Sequence, residues 1–149
     1  MHLEFEKEYD ALYKSLNGFN PEDEDWFLPE LLKLINKYGA NTACEFAKNN
    51  ASAIYVTELL IKAGLRDVDK TLLLEYTKGD NEDDVYGAAL SLAICGYAEG
   101  FELLNQFADG SHRLSKNIHP IADIIPDLAF INDERAVRLE ERIRRKFAK

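Results

Sequence analysis

From Leu3 to Phe147 apolar side chains return at intervals of three and four residues, and glycines punctuate the run. That spacing places them on one face of an α-helix, whereas a half-buried strand needs an apolar residue at every second position. β-branched residues are not gathered into alternating runs. The chain is therefore predicted to be all-α, with about eight or nine helices.

Leu3, Phe5, Tyr9, Leu12 and Leu16 mark a first helix that stops at Asn17-Gly18, where glycine supplies the terminating conformation. Asn20 suits an N-cap and Pro21 a first helical position, with Glu22 and Asp23 in the first turn. Pro29 falls inside this pattern, so the helix must kink there or begin anew around it. Leu31, Leu32, Ile35 and Tyr38 form its apolar face up to Gly39. A short helix over Asn41 to Lys48 and one over Ala53 to Ala63, ended by Gly64, come next. Asp67 is read as the cap of a helix running to Thr77, and Asn81 or Asp80 as the cap of the one reaching Gly96. Phe101 to Ala108 follows, with Gly96, Gly100 and Gly110 read as helix stops. Pro120 and Pro126 interrupt the segment Ile118 to Phe130, and Asn132-Asp133 caps a last helix over about 133–148.

One phrase is written twice. Leu72, Leu73, Tyr76 and Gly79 have the spacing of Leu103, Leu104, Phe107 and Gly110, 31 positions later. Two helical hairpins, 53–79 and 81–110, account for the repetition, because a hairpin that cannot bury its apolar face alone gains a core by stacking on its neighbour. Leu73, Tyr76, Leu104 and Phe107 are expected between layers, and Gly87, Ala88 and Ala89 are small enough to let helices approach closely. The whole of 1–149 is read as one helical domain. The pattern Asp84-Val85-x-x-Ala88-Ala89-x-x-Leu92-x-x-x-Gly96, followed by Phe101-x-Leu103-Leu104, resembles the two-helix unit of HEAT-like repeat proteins. Tyr86 stands where that unit carries a basic residue. The resemblance implies a short α-solenoid-type stack with a binding face.

The net charge of −9 is distributed unevenly. Residues 134–149 carry +4, which leaves −13 on residues 1–133. Such a body repels nucleic acid and anionic membrane and attracts basic surfaces. The basic end is read as structural, since Glu134 with Arg138, Glu140 with Arg144 and Glu141 with Arg145 have helical ion-pair spacing. No apolar run approaches the roughly 18 residues that span a bilayer. MHLEFEKEYDALYKSL lacks the basic and apolar segments of a secretory signal. Cys44 and Cys95, without a metal-spaced Cys or His, read as reduced core thiols. A cytoplasmic location is the expectation.

Chemistry has little to work with. The histidines are His2, His112 and His119, and neither Ser111-His112 nor His119 with Asp123 has an oxyanion or metal partner written beside it. His119 before Pro120 reads instead as a helix-start residue. GDNEDDVYGAAL lacks the alternating ligands and terminal Glu of a calcium loop. A non-enzymatic protein without cofactor or metal is expected.

Two acidic runs remain: Glu22, Asp23, Glu24 and Asp25, and Asp80 with Glu82, Asp83 and Asp84. Acids in a first helical turn stabilise the helix through its dipole, but these runs hold more carboxylates than capping requires. They are the candidate contacts for a basic protein, with Trp26 as an aromatic anchor beside the first. In size, charge and class the chain also resembles immunity proteins of bacterial toxin systems. That resemblance implies an inhibitor that neutralises a basic partner such as a nuclease toxin. An adaptor or scaffold with a non-toxin partner is the alternative.

Overall fold

The computed structural model describes residues 3–148, so His2 lies outside the described residues. Among these there are nine α-helices and no strand, which makes the fold all-α. The chain divides into two compact units between Val68 and Asp69. The segment 53–79, read from sequence as one hairpin, straddles that division.

The first unit contains α1 (Leu3–Lys14), α2 (Phe27–Tyr38), α3 (Ala40–Lys48) and α4 (Ala53–Ala63). Helix α2 is its centre and packs against the other three. Pro29 does not kink it. Pro21–Asp23 forms a separate 3-10 turn and a new helix starts at Phe27, so Pro29 falls in its first turn, where a missing N–H costs nothing. Asn20 makes no side-chain cap; its amide donates to the Asp23 carboxylate at 3.2 Å. The core is aromatic on one side, with Phe46 lying 5.1 Å from Phe5 and 4.8 Å from Tyr9 between ring centroids. On the other side Leu31, Ile35, Leu59 and Leu60 are buried. Gly64 ends α4 at φ 136, and Leu32 Cδ1 occupies the space its Cβ would need.

The second unit contains α5 (Lys70–Tyr76), α6 (Glu82–Ile94), α7 (Ala98–Asp109), α8 (Ile125–Leu128) and α9 (Glu134–Phe147), with a π-helical turn at Pro120–Ile124 leading into α8. Helices α6 and α7 form a tight antiparallel hairpin, the most extensive packing in the unit, and α5 lies on α6. Every residue from Val85 to Ile94 is buried. That is how a helix apolar on all sides must sit. Three caps match or adjust the sequence reading. Asn81 accepts from the Asp84 N–H, Asp133 from the Arg135 N–H, and Asp69 rather than Asp67 caps α5. Gly100 is not a stop; it lies in the first turn of α7. Leu73, Leu104 and Phe107 are buried as expected, whereas Tyr76, in the last turn of the short α5, is only half-buried.

The two cysteines are half-buried rather than core residues. Cys44 donates to the Asp67 carbonyl at 3.5 Å, and burial pushes its thiol pKa up. Cys95 is the residue that follows α6. Along α9, Glu134–Arg138 and Glu140–Arg144 form ion pairs at 3.6 and 2.9 Å. Glu141 and Arg145 form none within the described residues. No helix among the described residues is long and apolar enough to cross a membrane.

Candidate functional site

In the first unit the acidic run occupies the 3-10 turn and the entry to α2, and most of its carboxylates already have local work. Glu22 lies 3.8 Å from the ammonium of Lys62, whose side chain is 1% exposed and is held mainly by Glu58 at 2.9 Å. Glu24 accepts the Trp26 indole N–H at 3.2 Å, and Asp23 is bonded to Asn20. The carboxylate of Asp25 is exposed and has no such partner among the described residues.

Trp26 is 38% exposed, so it is neither a core residue nor a free one. Its ring meets buried Phe27 edge-on at 5.9 Å, and Tyr13 meets the same Phe27 edge-on at 6.1 Å. Tyr13 in turn lies within 3.3 Å of Tyr55, hydroxyl to hydroxyl. Tyr13 and Tyr55 are 38% and 37% exposed. Tyr13 and Trp26 thus share one buried neighbour, Phe27, and Tyr55 joins through the Tyr13 hydroxyl, an aromatic ledge supplied by α1, α4 and the residue before α2. Glu24 adjoins it through the Trp26 indole, and Glu22 through the effect of its charge on Tyr55. Burial is the main cause that pushes the Tyr55 phenol pKa up, followed by its bond with Tyr13, with the Glu22 charge adding to both. Sequence reasoning singled out Trp26 and neither of the two tyrosines. The available signal was weak: Tyr9 and Tyr13 are four residues apart on α1, a spacing that core and surface residues share.

In the second unit the acidic run splits by role. Glu82 is engaged by the chain itself: its carboxylate accepts the backbone N–H groups of Lys116, Asn117 and Ile118 at 2.8–3.1 Å, and the Asn117 amide at 3.1 Å. It fastens the loop 111–119 to the start of α6. Burial alone would raise its pKa, but these bonds together hold it below the ordinary glutamate value. Asp80 is fully exposed and lies 3.7 Å from Arg113. Asp83 and Asp84 are exposed and have no side-chain hydrogen bond or ion pair among the described residues, which leaves them as the free charges of this run.

The two described histidines, His112 and His119, serve the backbone. His119 caps the π-helical turn: its Nδ1 accepts the N–H groups of Ile121 and Ala122, while the Asp123 carboxylate accepts the His119 N–H at 2.7 Å. This reciprocal arrangement is similar to a capping box, with His in place of Ser or Thr and the returning carboxylate one position later. His112 is buried against Phe107, with rings 4.2 Å apart and nearly parallel, and its Nδ1 accepts the Leu114 N–H. Burial lowers its pKa, with a further push from the Arg113 charge. Among the described residues no group of His, Cys, Asp or Glu is gathered in a way that could hold a metal ion. Comparison with known proteins gave no matching family model, no similar curated protein and no similar solved structure.

Proposed function

We propose that this protein is a non-enzymatic protein-binding module that docks a basic partner on the ledge formed by Tyr13, Tyr55 and Trp26. The observation that carries the reading is that Tyr13 and Trp26 meet one buried ring, Phe27, with Tyr55 joined to Tyr13, and that all three stay partly exposed while Glu24 accepts from Trp26 and the Glu22 charge acts on Tyr55. Aromatic anchors supply contact area at low entropic cost, and a charged rim sets partner choice and association rate. A nuclease is the partner class that fits most simply, because a site that holds phosphate must itself be basic. In that form the protein acts as an inhibitor, of the kind that gives immunity to a toxin. In the second unit, Asp83 and Asp84 are candidate contacts of their own, separate from the ledge. Glu82 is better regarded as structural.

The test starts from the protein capturing its partner from the cells that make it, followed by titration of the purified partner. Affinity should fall as salt rises, and Trp26→Ala should weaken binding by about tenfold or more, as loss of an interface anchor does. An affinity that ignores both salt and Trp26→Ala would remove the reading.

A further inference from the structure

Beside the ledge, α1, the start of α4 and the turn before it border an open cavity of about 250 Å³, lined by Tyr9, Asp10, Tyr13, Lys14, Tyr55 and Val56, with Asn50 and Ser52 from the turn. It is smaller than the roughly 300–1,000 Å³ of sites that enclose a whole small-molecule ligand. It is the size for a side chain.

Tyr9 forms the floor. The residue is 5% exposed, yet its hydroxyl has no hydrogen-bond partner among the described residues and reaches the cavity surface rather than the closed core. A tyrosine this deeply buried ordinarily satisfies its hydroxyl. The rings of Tyr9 and Tyr13 stack at 5.9 Å with 19° between planes, and the Tyr13 and Tyr55 hydroxyls meet across the opening. The cavity thus offers aromatic faces, hydroxyl oxygens and the Asp10 carboxylate, with Glu22 near enough to act on Tyr55. Aromatic faces carry negative potential and attract cations.

We infer that this cavity takes the guanidinium of an arginine carried by the basic partner, an inference that rests on the reading of the ledge as a docking surface. A guanidinium is planar, stacks on aromatic rings and carries five donors but no acceptor. The cavity matches each property: rings to stack on, the open Tyr9 hydroxyl to accept, and Asp10 to balance the charge. Lysine, a compact and strongly hydrated charge, uses the rings and the fork of acceptors less well. Lys14 is the one lining group whose charge opposes an incoming cation. It is exposed and reaches the mouth from α1.

That opposition provides a test of sign. A short arginine peptide, the same peptide with citrulline in place of arginine, and the same peptide with lysine are titrated into the intact protein while the tyrosine ring resonances are followed by NMR. The arginine peptide should shift Tyr9, Tyr13 and Tyr55, the lysine peptide should bind more weakly, and the uncharged citrulline peptide should leave the rings unmoved. Tyr9→Phe keeps the ring and should weaken binding about two- to tenfold, the value of one hydrogen bond. Lys14→Gln should tighten it. Weaker binding on Lys14→Gln, equal binding of the citrulline or lysine peptide, or rings that stay still in millimolar peptide would each overturn the assignment. The two levels also separate. A basic protein that binds the ledge but ignores Tyr9→Phe removes the arginine pocket alone, whereas an arginine peptide that binds where no basic protein does removes the partner reading alone.

Discussion

Gly100 of α7 lies so close to α6 that a Cβ on it would fall 2.3 Å from the backbone nitrogen of Ala93, with the Ala89 carbonyl oxygen at 2.7 Å. Only a residue without a side chain allows the two helices to meet here. Because the obstacle is backbone, no rotamer change relieves it. Gly100→Ala should therefore destabilise the protein by about 1–3 kcal/mol, the range of overpacking. Its intrinsic helix propensity favours the opposite result by about 1 kcal/mol. A urea midpoint that rises on this substitution would show that the hairpin packs less tightly than described.

Leu104 is fully buried on the same helix, between Phe101 and Phe107, themselves buried. Leu104→Ala should cost about 2–5 kcal/mol, since it removes core contacts and leaves a cavity the surrounding helices fill only in part. Leu103, its neighbour in the repeated phrase, is only half-buried, so Leu103→Ala should cost clearly less. Equal losses in chemical denaturation would mean that the helix face is assigned wrongly.

The clasp of Glu82 on Lys116, Asn117 and Ile118 makes stability depend on acid. The carboxyl pKa is lowered in the folded state, so its contribution is complete above the ordinary value of 4.5 and is lost as pH falls through the lower folded value. Thermal midpoints should thus decline below about pH 4.5 more steeply in the native protein than in Glu82→Gln. At neutral pH that substitution should speed hydrogen exchange at the three amides the carboxylate binds. Unchanged exchange would argue that the loop is held by other contacts. The same clasp bears on any binding experiment: replacing Glu82 together with Asp83 and Asp84 mixes a loosened loop with a lost surface charge, so the pair Asp83→Asn and Asp84→Asn is the cleaner variant.

Local rules made much of the secondary structure legible in the chain itself. The three- and four-residue spacing, the glycine at 64 and the caps depend on neighbours within about one turn; the structure keeps the glycine stop and selects Asn81 over Asp80 and Asp133 from Asn132-Asp133. The repeated phrase is half kept. Its second leucine is buried in both copies, because that position faces the core of each helix, but Tyr76 is not buried like Phe107, since α5 ends there.

What depends on distant parts of the chain was decided only by the tertiary structure. The repetition of 53–79 in 81–110 suggested two equal hairpins, yet α4 packs on α2 and α3 while α5 packs on α6. Gly100 looked like a stop because a glycine's tolerance of turns is a local property, whereas its role here is set by Ala93 on another helix. Glu82 looked like one surface charge among several until a loop more than thirty residues away brought it three backbone N–H groups. The pocket of Tyr9, Tyr13 and Tyr55 likewise joins residues 42 positions apart at its hydroxyl pair. Helical periodicity says which side chains share a face; which face meets which, and which polar groups that meeting leaves open, follows from how whole helices cross.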